Sequence, residues 1–400
     1  MLVYVGLIQG IGGLAFFKYY NFFVTSINDS IHLLNGNVNL QTLNIIVPLG
    51  ISFFTFKTIS YILDIDKGKI EATKNWVVFF NYVSFFPSVL SGPIDKAKMF
   101  IPQLEKKRVY NYSQTVDGYR QILWGLFKKV VIADSCATYA NAVFDNYESM
   151  NSLSLILGAI YFAFQIYGDF SGYSDIALGT SKLFGIDLLK NFNYPYFSRD
   201  IAEFWRRWHI SLSSWFRDYL YIPLGGSQGG MWMKVRNTFI IFLVSGFWHG
   251  ANWTFIIWGL LNAIYFLPLL LQNKNRSNMG EIQMGWDLGS VKTLLNILGT
   301  FVLTTIAWIF FRAKSISEAI GYIQKMMTDF HFESQYLSNE RYTYELVLLV
   351  LVFIGVEWFN RSKVEPLSGK ASWVKVTLAI MALFALGVYS DYKEFIYFQF

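Results

Sequence analysis

The sequence has 400 residues and a formal net charge of +6; 54% of the residues are hydrophobic, 19% aromatic and only 15% charged. Soluble domains carry about 25% charged residues. This balance therefore excludes a disordered chain and a nucleic-acid-binding tail, and it argues against an ordinary soluble enzyme. One cysteine (Cys136) and four histidines (His32, His209, His249 and His331) exclude an intrachain disulfide framework and a cysteine zinc site. No HExxH and no helically spaced histidine pair occurs, so no metal site is expected.

A bilayer core of about 30 Å needs roughly 20 apolar residues as helix. In chain order, stretches free of Asp, Glu, Lys and Arg predict spans at Met1–Phe17, Ile31–Phe56 (interrupted by Pro48 and Gly50), Trp76–Ile94 and Ser149–Gly168. Asn237–Leu271 and Thr293–Phe311 follow, with shorter runs at Leu346–Val356 and Val376–Ser390. Ile122–Val143 also spans if Lys128 and Lys129 snorkel. Asn237–Leu271 would be about 52 Å as straight helix, so it must tilt, break or turn back. Met1–Phe17 lacks the basic start of a signal peptide and reads as a retained first helix. These runs are too long and too uniformly apolar for barrel strands. The expectation is an all-α, polytopic membrane helix bundle of about 9–11 transmembrane helices plus re-entrant or amphipathic helices, in a single domain over residues 1–400. The basic residues of Asp95–Arg120 and Lys182–Arg236 assign both segments to the cytoplasmic side.

Chemistry in such a chain is sought in polar groups within apolar surroundings. Gln165–Gly179 (QIYGDFSGYSDIALG) carries Asp169 and Asp175, six apart and so on different helical faces, with Gly168 and Gly172 permitting a bend or close helix approach. It reads either as a broken helix lining a cavity or as a polar helix end whose carboxylates cap or pair with Arg. Phe197–Ile222 repeats apolar residues at helical spacing, with Arg199, Arg206, Arg207 and Arg217 on other faces. It reads either as a helix lying in the headgroup layer, anchored by Trp, or as a re-entrant helix whose Arg206 and His209 share a face and meet a phosphate-bearing acyl donor.

Ser245–Gly259 (SGFWHGANWTFIIWG) places His249 deep in the uncharged 35-residue stretch, with Asn252 and Trp253 at i+3 and i+4. It is either a satisfied structural histidine or a catalytic one. Gly225–Gly230 lacks the GK[ST] of a phosphate loop, Ser372–Lys375 is an isolated SxxK, and no GxSxG elbow exists. His331, Glu333, Asp391 and Glu394 read as solvated.

Together these segments resemble the membrane-bound O-acyltransferase family, most closely its bacterial polysaccharide O-acetyltransferase branch. The resemblance rests on PLGISFFTFKTISYILDI (Pro48–Ile65), NYVSFFPSVLSGPI (Asn81–Ile94), QIYGDFSGYSDIALG, FWRRWHISLSSWFRDYLYIPLGG (Phe204–Gly226), FWHGANWTFIIWGLLNA (Phe247–Ala263), AWIFFRA (Ala307–Ala313) and FIYFQF (Phe395–Phe400). They occur in the family's order, with a motif-bearing core over residues 43–313.

The resemblance implies a bundle of about eleven helices around a thinned, funnel-like centre. It implies that the WHG histidine, His249, is catalytic and that the RRWH histidine, His209, stands near the central channel. Trp205, Trp248, Asn252, Trp253, Asp169 and Asp175 are then candidates for the channel wall, and Arg206 and Arg207 for donor binding. The implied activity is acetyl transfer from a cytoplasmic thioester, acetyl-coenzyme A or another acyl thioester, to a hydroxyl of an extracytoplasmic polysaccharide or of a partner transferase of the SGNH type. The implied location is a bacterial cytoplasmic (inner) membrane, with membrane lipid around the chain.

Two departures stand out. Asn262 occupies the segment Leu260–Ala263, where many relatives carry a further His. Relatives also usually begin with membrane sequence upstream of the region matching Gly6–Phe23, as expected of a short variant, a truncated piece or a misplaced start here. The competing expectations are D-alanyl transfer to teichoic acid from a carrier-protein thioester, a transporter with an Asp169, Asp175 and His249 relay, and a structural membrane scaffold.

Overall fold

The computed structural model describes residues 2–282, 288–331, 345–363, 366–390 and 395–396. Glu333, Asp391, Glu394 and all of the terminal FIYFQF motif except Phe395 and Ile396 lie outside the described residues. Among the described residues there is helix and no strand. This is the expected outcome for long apolar runs, because a helix satisfies its backbone polar groups internally.

The chain opens with a composite rod: α1 (Leu2–Leu14), a π-helical turn at Ala15–Tyr19 and α2 (Tyr20–Leu33) follow without a break. The span expected over Ile31–Phe56 does not form. Residues 34–50 are irregular, and α3 (Ile51–Asp66) starts only after Pro48 and Gly50. Proline disfavours helix in the residue before it, and Gly50 is left-handed at φ +73°. The span expected over Trp76–Ile94 shortens to α4 (Trp76–Ser84), after which the chain turns through Pro87 and Pro93. Next come α5 (Ala97–Glu105) and a second composite rod made of α6 (Tyr112–Leu126), a π-helical turn at Phe127–Ala133 and α7 (Asp134–Asp145).

Helix α8 (Ser152–Leu183) is continuous over 32 residues, so the helix does not break at Gly168 and Gly172. Of the two roles open to them, those glycines serve close approach. A Cβ at Gly172 would lie 2.8 Å from the Gly125 carbonyl oxygen, and one at Gly125 would lie 2.5 Å from that of Gly172. Gly118 and Gly179 repeat the reciprocal contact at 2.8 and 2.5 Å, seven residues along each chain segment. The two helices are thus antiparallel and touch backbone to backbone, as small residues permit in membrane bundles.

The expected single amphipathic helix over 197–222 is divided into α9 (Ile201–Arg207), α10 (Ile210–Phe216) and a π-helical turn at Arg217–Tyr221. It is not a surface helix in the headgroup layer: Phe204, Trp208, His209 and Leu212 are all buried in the protein. The uncharged 35-residue stretch turns back on itself. Helix α11 (Gly230–His249) ends at the histidine and α12 (Trp253–Leu271) returns antiparallel. Gly246 and Gly259 bring these helices together, since a Cβ at either would lie 2.2 or 2.3 Å from a carbonyl oxygen of the other helix. The chain continues as α13 (Leu288–Arg312), α14 (Ile316–Thr328), α15 (Glu345–Asn360) and α16 (Ser372–Leu386).

Among the described residues, three single helices are long and apolar enough to cross a bilayer: Ser152–Leu183, Trp253–Leu271 and Gly289–Arg312. Apart from Ile31–Phe56, the other expected spans fall on the composite rods and on shorter helices. The main core packs α6 to α9 against α12, α13 and α15. A second cluster joins Phe53 and Phe56 of α3 to Trp215 and Trp248.

Candidate active site

His249 is the last residue of α11, and Gly250 beyond it is extended (φ −161°, ψ 153°). It therefore occupies a corner between two helices, and the helical face proposed for His249, Asn252 and Trp253 does not exist. Asn252 is the N-cap of α12: its side chain accepts from the Thr254 amide at 3.0 Å and donates to the Lys314 carbonyl at 3.0 Å. Trp253 points outward, 52% exposed, and meets Phe22 at 5.5 Å.

The His249 ring is buried among aromatic rings. Its centroid is 5.0 Å from that of Trp248, 5.1 Å from Trp258 and 5.4 Å from Phe311. Trp258 stacks on Trp308 at 5.6 Å, and Trp308 meets Trp208 at 5.0 Å. Trp205 closes the same wall against Trp258 at 5.7 Å. A ring-lined, water-poor enclosure strengthens electrostatic interactions within it.

His209 reaches the same place from another element. It joins α9 to α10 in the left-handed region (φ 44°, ψ 54°), which non-glycine residues seldom adopt. The neighbouring backbone fixes it there: the Ile210 amide donates to the Asn191 carbonyl at 2.8 Å, and the Ser211 hydroxyl donates to Asn191 Oδ1 at 2.6 Å. The Ile94 amide in turn donates to Ser211 Oγ at 2.9 Å, tying the Ser91-Gly92-Pro93 turn to this corner. His209 is 1% exposed, packs edge-on to Phe170 at 4.6 Å, and lies 6.2 Å from Trp248. Neither of its ring nitrogens has a hydrogen-bond partner among the described residues. Buried polar atoms normally have one, so an unpartnered imidazole at a strained backbone position points to a site kept for a ligand.

Arg206 and His209 do not share a helical face, because α9 ends at Arg207. Arg206 donates to the carbonyls of Asn275 (2.7 Å) and Asn278 (3.0 Å). Arg207 pairs with Glu203 at 2.8 Å and donates to the Asn193 carbonyl. Asp169 and Asp175 are paired with lysines rather than arginines. Asp169 bonds Lys129 at 2.9 Å and accepts from the Ile396 amide at 2.7 Å. Asp175 bonds Lys128 at 2.5 Å and accepts from Gln121 at 3.1 Å.

One residue of the site escaped the sequence reading. Lys18, in the first π-helical turn, donates to the carbonyls of Trp248 and His249, each at 2.9 Å. Tyr19 beside it donates to the Phe247 carbonyl at 3.0 Å. The available signal was that Lys18 is the only charged residue among the first 28, and an ionisable group inside an apolar span is a functional candidate by default.

Comparison with known proteins bears on this geometry. The family described as "MBOAT, membrane-bound O-acyltransferase family" matches residues 70–284. The chain is 35% identical to the probable alginate O-acetylase AlgI of Pseudomonas aeruginosa, over 92% of this chain and 69% of that protein. It is 34% identical to the peptidoglycan O-acetyltransferase of Helicobacter pylori, over 99% of this chain and 82% of that protein. It is 31% identical to the teichoic acid D-alanyltransferase of Bacillus subtilis, over 55% of this chain and 58% of that protein.

Proposed function

The chain belongs to the membrane-bound O-acyltransferase family and is an O-acyltransferase; from that premise we propose that it moves an acetyl group from a cytoplasmic thioester, acetyl-coenzyme A in the first instance, to a hydroxyl of an extracytoplasmic polysaccharide or of a separate SGNH-type transferase. His249 is the base. Its ring nitrogen takes the proton of the acceptor hydroxyl as the oxygen attacks the thioester carbonyl. The carbon–oxygen bond forms, the carbon–sulfur bond breaks, and the imidazolium returns the proton to the departing thiolate. His209, with both ring nitrogens unpartnered, positions the acyl group or the acceptor. The walls are Trp205, Trp248, Trp258 and Trp308, with Trp253, Asn252, Asp169 and Asp175 supporting the surrounding helices. Arg206 and Arg207 border the face on which the donor's phosphates arrive.

The observation that carries this reading is the convergence of two buried imidazoles on one ring, Trp248, at 5.0 and 6.2 Å. Acetyl is preferred over D-alanyl because the likeness to the two O-acetylating relatives runs over 92% and 99% of the chain, against 55% for the D-alanyltransferase. The test is purified protein in liposomes with labelled acetyl-coenzyme A inside, and a polysaccharide acceptor and candidate partner outside. Label should appear on the outer acceptor and be lost, by at least about 100-fold, in His249→Ala. Unchanged transfer by His249→Ala would overturn the assignment. Transfer only from a D-alanyl carrier thioester would favour the second activity.

A further inference from the structure

Away from the histidines, α8, α13 and α15 enclose an apolar groove of about 740 Å³. Its walls include Phe164, Tyr196, Leu298, Phe301, Leu351 and Trp358. Its back is fixed: the Tyr196 hydroxyl donates to the Ala163 carbonyl at 2.6 Å, and Phe301 packs edge-on to Tyr196 at 5.1 Å. Its front is open, since Leu298 and Leu351 are 51% and 58% exposed. Two of the three walls are helices long and apolar enough to cross a bilayer, so the opening faces hydrocarbon rather than solvent. The volume equals roughly 25 water molecules at about 30 Å³ each, but leucine, isoleucine and phenylalanine walls offer water no partners.

The two ends of the groove differ. Helix α15 begins with Glu345 at one end. At the other, the Arg361 guanidinium lies 4.1 Å from the centre of the Trp358 ring and donates to the Ile282 carbonyl, and Lys363 is exposed one turn beyond Asn360. Arg199 and Arg206 also reach the 275–282 segment, through the carbonyls of Gly280, Asn275 and Asn278. Arg199 is paired here with Glu203, which leaves Arg361 and Lys363 as the cations beside the groove, and the positive-inside rule assigns this end to the cytoplasm. Along α15 the lined stretch runs from Val347 to Trp358, about 16 Å at 1.5 Å per residue. That is half of a hydrocarbon core of about 30 Å, the depth of one leaflet.

We propose that this groove binds one acyl chain of an anionic phospholipid of the cytoplasmic leaflet, with the lipid phosphate held at the Arg361–Lys363 end. Within hydrocarbon an acyl chain gains packing but no hydrophobic driving force from entering the groove, so preference for one lipid has to come from its headgroup charge. The groove supplies the packing, and the Arg361–Lys363 end recognises the charge. The site is separate from acyl transfer, and its occupant is a structural lipid rather than a substrate.

The test uses the full chain in nanodiscs containing equal amounts of phosphatidylglycerol and phosphatidylcholine, followed by exhaustive detergent exchange and mass spectrometry of the retained lipid. About one phospholipid per chain should remain, with phosphatidylglycerol favoured by tenfold or more, as expected from about 1 kcal/mol per basic residue. Leu298→Trp, at a half-exposed wall position, should fill the groove and release the lipid of either kind. Lys363→Gln, and separately Arg361→Gln with Lys363→Gln, should keep a lipid and lose the preference. Lys363 is exposed and its substitution leaves the bundle intact, so a folding failure of the double variant does not remove the test. Equal retention of both lipids by the native chain, lipid retained by Leu298→Trp, or a co-purifying protein helix released by Leu298→Trp would each overturn the proposal.

Discussion

The Lys18 ammonium and the backbone of His249 are joined directly: Lys18 Nζ donates to the His249 carbonyl at 2.9 Å across 231 positions of sequence. The last carbonyls of a helix lack intrahelical donors, and a cation there complements the helix dipole. Lys18 thereby fixes the corner from which the imidazole projects. A hydrogen bond from a charged group contributes about 1.5–3 kcal/mol, so Lys18→Met should lower transfer about 10- to 100-fold. The loss should fall on kcat, with KM for the donor little changed, because the group displaced is the proposed base and not a proposed binding contact. Lys18→Arg should recover part of the rate. Steady-state kinetics in liposomes read both, and a loss confined to KM would contradict the positioning role.

His209 combines a left-handed backbone with an unpartnered ring. Asparagine tolerates that backbone better than most residues, whereas a β-branched residue there is a severe outlier. His209→Asn should therefore accumulate in the membrane at near-native level and lose at least about tenfold in transfer. His209→Val should fail to accumulate. Expression level and specific activity, measured separately, distinguish the two effects, and an active His209→Asn protein would remove the imidazole from the mechanism.

The glycine seam between α6 and α8 gives a stability prediction with an internal control. Gly125→Val places atoms where the Gly172 carbonyl lies 2.5 Å from the Cβ position. Both backbones must separate, and overpacking of this kind costs about 1–3 kcal/mol or more. Gly299, in α13, has nothing within 4 Å of its Cβ position. Gly299→Ala should be neutral or stabilising by about 0.5–1 kcal/mol. Thermal unfolding in detergent should show the first change lowering the midpoint and the second not.

The buried Lys128 and the partly buried Asp175 form a pair beside Glu357, which accepts from the Tyr167 hydroxyl at 2.7 Å. Removing one member of a buried pair leaves a charge uncompensated and costs about 3–5 kcal/mol. Lys128→Met should destabilise by that amount. Lys128→Met combined with Asp175→Leu should restore much of the loss, because neither charge then remains. A double-mutant cycle with additive effects would show that the pair is not coupled.

Parts of this site were legible in the residues themselves. The Trp-rich runs around His209 and His249 marked both histidines, and both are buried within ring-contact distance of Trp248. The relationship of Arg206 to His209 was not legible. Helical spacing places residues three apart on one face only while the helix lasts, and here it stops at Arg207. Gly168 and Gly172 were visible as special positions, but a glycine signals a bend and a close helix contact with the same letter. Only the facing Gly125 and the Lys128 carbonyl decide between them.

By itself the sequence determined the membrane character and the helical class, through composition and run length, while its ordered motifs carried the resemblance to the family and singled out His209 and His249 as candidates. Tertiary structure alone decided that the uncharged 35-residue stretch folds back at Gly250–Asn252, that α8 runs unbroken with its glycines against α6, and that Lys18 grips the carbonyl of His249. Each of these depends on what a distant segment presents: the Phe255 carbonyl against Gly246, Gly125 against Gly172, and α11 against the first rod. Run length and periodicity describe one segment at a time, whereas a corner, a seam or a grip exists only between two.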